Sequence, residues 1–239
     1  MNRRNLLTNM LGGTILTATF LGTELFAQES NPFTRRRRRE IQQYPNKHFY
    51  NTDGSFNVKA AKDAYVELFR FHNYSLPNVV NDKRFWAVDF GLGDFANVGM
   101  GGIFWLNDKE HGYFGHEIYL LPFQMIPEHA HLEAENKPAK HEYWQVRHGS
   151  IFNFGKGGSK DDLDKLPVKL PKSQLDANAI TAFKCVELKA GTGKESEAAL
   201  SGLGDFHFMI AGKNGAIVTE YASFHSNAGL KFQNPKAKL

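Results

Sequence analysis

Residues 127–149 read PEHAHLEAENKPAKHEYWQVRHG. His129 and His131 are one residue apart, and Glu142 follows after ten more. In an extended strand, residues two apart project to the same face, so both imidazoles can reach one ion. Asn136-Lys137-Pro138 reads as a turn that brings Glu142 in on the neighbouring strand, adding an anionic oxygen to two neutral nitrogens. A fourth ligand must come from elsewhere. His207, in GDFHFMIAG, is the best placed, because Phe206 and Phe208 flank it on a strand and face away from it. With 10 histidines in the chain, spacing alone leaves a second reading open, in which the HxH pair is polar decoration on a surface strand.

Outward from this stretch the apolar period is two. Trp86, Val88 and Phe90 alternate, then Ile103 and Trp105, Ile118 and Leu120, Tyr143 and Gln145, Ile151 with Phe152 and Phe154, Ile180 to Leu188, Phe206 and Phe208, and Ile217 to Phe224. Gly, Pro and Asn/Asp separate these runs, as turns require. One earlier segment has the helical period: Val58, Ala61, Tyr65, Leu68, Phe69 and His72 predict a helix over 58–72, capped by Asn57, with Pro77 beyond its end. The expected fold is all-β, a β-barrel or jelly roll with an N-terminal helix. The polar segment 155–174, GKGGSKDDLDKLPVKLPKSQ, reads as a long surface loop between two halves of the sheet system.

The chain has 239 residues, 41% of them hydrophobic, with 20 Phe, enough for one sizeable core over 57–239. Arg3-Arg4 ahead of the short apolar run 10–21 resembles a twin-arginine export signal over 1–27, with cleavage near Ala27. That run is too short, and too broken by Gly12 and Gly13, for a stable membrane span. The expectation is an exported protein, periplasmic or extracellular. Arg35 to Arg39 then mark a flexible basic linker over 28–56. The net charge of +4 is concentrated there, and no basic stripe interleaves Trp86, Trp105 and Trp144, so nucleic acid is not an expected partner. Cys185 is the only cysteine, which excludes an internal disulfide and a Cys-rich zinc site. Exposed strand edges suggest pairing into a homodimer.

His129, His131, Glu142 and Gly149 together resemble the first metal motif of the cupins. Four blocks resemble, in order along the chain, the D-lyxose ketol-isomerase family of sugar isomerases: DFGLGDFANVG (89–99), HEIYLLPFQMIPEHAH (116–131), KHEYWQVRHG (140–149) and HFMIAGKNGAIVTEYASF (207–224). The resemblance covers about 80–234. It implies a cupin barrel holding a divalent metal through His129, His131, Glu142 and His207. Manganese is the first expectation, with Fe2+, Zn2+, Co2+ or Ni2+ as alternatives. It also implies interconversion of a monosaccharide aldose, of the D-lyxose or D-mannose kind, with its ketose through an enediol.

That chemistry needs a base for the migrating proton, and Glu220 in IVTEYAS is the candidate, provided its strand face turns inward. Lys140 shares the face of Glu142 and is expected to shuttle a proton between substrate oxygens at a lowered pKa. Glu117 and Arg147 coincide with the family blocks and are assigned to sugar hydroxyls. The chain departs from the family pattern at His116, where lysine is usual, at Gln145, where arginine is usual, and at Leu132, where proline follows HxH. These changes bear on sugar contacts more than on metal contacts. Two other readings use the same ligand set: an iron cupin dioxygenase, and a non-catalytic sugar-binding cupin in which Glu220 lies away from the metal.

Overall fold

The computed structural model describes residues 40–239 apart from Leu76, Val79 and Asp82. The leader assigned to 1–27 and the arginine run lie outside the described residues. Among those described, no helix is long and apolar enough to cross a membrane.

Helix α1 (Val58–Phe71) forms where the apolar period is 3.6, and the Asn57 side chain accepts from Ala60 N at 3.0 Å, as a cap should. Its Ala61, Tyr65, Leu68 and Phe69 are fully buried. Each of the large ones contributes roughly 1.5–3 kcal/mol by leaving water. A short helix, α2 (Lys172–Asp176), comes later.

The strands are β1 (Phe85–Val88), β2 (Met100–Asp108), β3 (Tyr113–Leu120), β4 (His129–His131), β5 (Glu142–Gly155), β6 (Lys184–Lys189), β7 (Glu197–Ala199), β8 (Phe208–Ser223) and β9 (Leu230–Phe232). Among the described residues, one antiparallel sheet runs β1-β2-β3-β8-β5-β6, with β7 added to β5, and a second pairs β4 with β9. The all-β cupin-type expectation holds. Strands β5 and β8 are the long staves. The register of their pairing shifts between Val146 and His148 and again between Gly149 and Ile151. Gly149 of the sequence motif sits at this irregularity with φ +74°, and a Cβ there would lie 2.0 Å from the Gly215 carbonyl oxygen, so only glycine fits.

The large sheet buries both faces. Inward lie Met100, Ile118, Trp144, Val146 and Val218; the opposite face carries Ile103, Tyr119 and Ile217 under α1. Two expectations are corrected. Residues 46–56, assigned to the linker, belong to the packed body: Phe49 is fully buried, edge-on to Phe95 at 4.7 Å, and Tyr50 bridges to Phe56. The 155–174 segment is not a simple surface loop, because Val168 and Leu170 are buried in a third cluster with Phe154 and Phe208.

Candidate metal centre and cavity

β4 presents His129 and His131, β5 opens on Glu142, and His207 stands immediately before β8, bridged to His129 backbone to backbone. The ligand atoms of these four residues all lie within 4.8 Å of one another. His131 Nε2 is 3.1 Å from Glu142 Oε1, and His207 Nε2 is 2.9 Å from Glu142 Oε2. Each outer histidine is oriented from behind by a backbone carbonyl: His129 Nδ1 meets Pro127 O at 2.8 Å and His207 Nδ1 meets Asp205 O at 3.0 Å. That leaves Nε2 of both for the centre, the arrangement in which metal-bound histidines are held.

The cluster fits a divalent ion on its own terms. Glu142 is buried, and its Oε2, though 2.9 Å from His207 Nε2, makes no well-directed hydrogen bond among the described residues. Three imidazoles and a carboxylate form a donor set for a borderline divalent metal. Burial would raise the Glu142 carboxyl, but Lys140, His131 and His207 outweigh it and hold it well below the usual carboxylate range. Burial would lower His207, yet Glu142 raises it overall. His129 is driven well below its ordinary value by burial and by its two histidine neighbours.

The ligands form one wall of a cavity that Trp86, Phe104, Phe114 and Trp144 also line. Glu220 and Lys140 line it too. Their approach follows from register: His116, Glu220 and Trp144 are direct partners across β3, β8 and β5, and directly paired residues share a face. Lys140 Nζ lies 2.8 Å from Glu142 Oε1 and also hydrogen-bonds Glu220 Oε1. Burial would lower Lys140, but the two carboxylates raise it; the expectation of a lowered pKa is therefore corrected. Burial would raise Glu220, and Lys140 reverses the sign, so the carboxyl is ionised at neutral pH.

Two assignments fail. Glu117 pairs with Thr219 on the opposite face, beneath α1, where it accepts from Tyr74 OH at 2.5 Å and from Tyr119 OH at 2.9 Å. Period two turns His116 inward and therefore Glu117 away. Arg147 is exposed on the outer face, donating to Gln145 Oε1 at 3.1 Å.

Three cavity residues were not picked out as site residues. His116 Nδ1 lies 3.2 Å from Glu220 Oε2; the sequence signal was its place in a family block. Trp86 stacks on His116, at 5.5 Å between ring centroids and 25° between planes. His225, stacked on Phe114 and 5.6 Å from the His131 ring, is pushed down to about 4 by burial first and by Lys140 next. It lies past the end of β8, where no periodicity marks it.

The buried set of three histidines and one glutamate thus sits within an antiparallel cupin-type fold. The chain's sequence is similar to those of D-lyxose isomerases, as the four sequence blocks imply. It is 29% identical over 152 residues to the D-lyxose/D-mannose isomerase of Thermosediminibacter oceani, covering 64% of this chain and 77% of that one. It is 27% identical over 181 residues to the D-lyxose ketol-isomerase of Cohnella laeviribosi, covering 75% and 92%. Among solved structures, the L-ribose isomerase of Acinetobacter sp. DL28 with L-ribose superposes with TM-score 0.55 at 13% identity, over 81% of this chain and 96% of that one. The L-ribose isomerase of Cellulomonas parahominis with L-psicose gives 0.53 at 17%, over 79% and 95%. At such identities these two establish the fold. No family model matches the chain.

Proposed function

We propose that the protein is a metal-dependent aldose-ketose isomerase of the D-lyxose isomerase type, taking D-lyxose to D-xylulose or D-mannose to D-fructose. The single observation that carries this reading is the convergence of a buried carboxylate and a buried amine, Glu220 and Lys140, on the cavity that the four ligand residues share. A purely sugar-binding cupin has no need of a buried acid and amine so placed.

His129, His131, Glu142 and His207 would hold the ion, with Mn2+ as the proposed occupant. Bound there, the ion supplies electrostatic stabilisation for negative charge developing on the sugar oxygens. The remaining chemistry belongs to the chain. Glu220, ionised, takes the proton from C2 and returns it to C1. Lys140, protonated, keeps the two carboxylates ionised, gives a proton to the C1 oxygen as charge gathers there, and recovers one from the C2 hydroxyl as that becomes the ketose carbonyl. The aromatic wall of Trp86, Phe104, Phe114 and Trp144 limits water around the enediol. The paired arginines at the start of the chain support export as its destination.

The test is to deplete the protein of metal, reload it with Mn2+, and assay a panel of pentoses and hexoses for ketose. Ketose formation restored by the metal supports the proposal; none on any aldose overturns it.

A further inference from the structure

Two buried nitrogens in the cavity wall have no hydrogen-bond partner among the described residues: Trp86 Nε1 and His116 Nε2. They belong to rings that stack on each other, and both rings line the cavity. Leaving one such atom unpaired is costly, and two on a pair of stacked rings mark a place suited to a polar guest. Their chemistry is complementary. Indole N–H can only donate. Glu220 is ionised and can only accept, so the proton of His116 sits on Nδ1, directed at Oε2, and Nε2 is left as an acceptor. One donor beside one acceptor matches a hydroxyl, which both accepts and donates.

The neighbouring strand makes room for this pair. Gly102 faces inward between Met100 and Phe104, and a Cβ there would lie 2.4 Å from His116 Nε2 and 2.8 Å from Trp86 Cζ2. Any larger residue would push the two rings out of their stack. We infer that Trp86 and His116 form a two-atom clamp for one hydroxyl of the bound monosaccharide, and that His116, through Nδ1, at the same time positions Glu220. The inference rests on the isomerase reading for the identity of the guest. It goes beyond that reading in naming what selects the sugar: the orientation of a hydroxyl away from the reacting carbons.

The two roles of His116 separate by substitution. His116→Asn keeps a donor near the Nδ1 position and loses Nε2; His116→Gln keeps a polar group near Nε2 and loses the contact with Glu220; Trp86→Phe removes the indole N–H. Metal-loaded wild type and variants are assayed for kcat and KM, with direct binding by calorimetry and thermal midpoints alongside. Trp86→Phe and His116→Asn are expected to raise KM and Kd about five- to fifty-fold, with kcat within about threefold of wild type. His116→Gln is expected to lower kcat about tenfold or more with a smaller change in KM. An aldose deoxygenated at the clamped position should bind wild type and Trp86→Phe equally.

If wild type turns over and both Trp86→Phe and His116→Asn keep KM within twofold, the clamp is overturned and the isomerase stands. If wild type binds a sugar without turning it over, Kd alone decides the clamp by the same limits. If it neither binds nor converts any aldose, clamp and isomerase fall together.

Discussion

Lys140 and Glu220, 80 residues apart in the chain, hydrogen-bond each other on the cavity wall, and the same ammonium lies 2.8 Å from Glu142 Oε1. One cation thus joins a candidate metal ligand to the candidate base. Removing it takes from buried Glu220 its nearest counter-charge and from Glu142 one of its partners. Lys140→Met is expected to cost about 3–5 kcal/mol of stability and to cut kcat by about a hundredfold or more. Denaturant titration and steady-state assay of the same preparation check both, and a variant that turns over like wild type contradicts the assignment.

Glu220→Gln keeps the shape and loses the base. Its kcat is expected to fall about 10²- to 10⁴-fold while metal content stays that of wild type, since Glu220 is not among the four ligand residues. Metal analysis and single-turnover kinetics on the variant measure the two separately.

Glu117 supplies a control on the same strand. It accepts from two tyrosines on the far face, so Glu117→Gln is expected to lower stability by about 1–3 kcal/mol and leave KM within about twofold. A large rise in KM would return Glu117 to the sugar site.

Acid should loosen the fold through buried histidines. His225 has a folded pKa of about 4 against 6.5 when free, so the unfolded chain binds its proton more readily. The stability it contributes is complete above pH 6.5 and is lost as pH falls from there towards 4, a loss of roughly 2 kcal/mol by pH 5. His72, His116 and His148 are shifted the same way, largely by burial, and add to the slope. The thermal midpoint is expected to drop between pH 7 and 5, and less steeply in His225→Gln.

The four-ligand set is legible in the sequence through its resemblance to the sugar isomerases; period two lets the HxH pair share a face and turn signals bring Glu142 beside it, but spacing alone leaves a surface pair open. Helix α1 is legible down to its Asn57 cap. Glu117 was misplaced because β3 is buried on both faces: Ile118 and Tyr119 are both inside, so hydrophobicity does not say which of residues 116 and 117 looks inward. Only the pairing of His116 with Glu220 decides it. Arg147 follows Val146, an inward residue, and simple alternation would have turned it outward. The segment around Phe49 and Tyr50 packs through irregular aromatic contacts that no period announces. The clamp nitrogens depend on Trp86 of β1 stacking on His116 of β3 across Gly102 of β2, a relation between strands that spacing along the chain does not carry.

The most direct measurement is a titration of ketose formation against divalent metal per chain, starting from metal-free protein with D-lyxose and D-mannose as substrates. The account predicts no turnover without metal, a linear rise with Mn2+, and saturation at one ion per chain. Full activity in the metal-free protein, or no activity at one bound ion per chain, would contradict it.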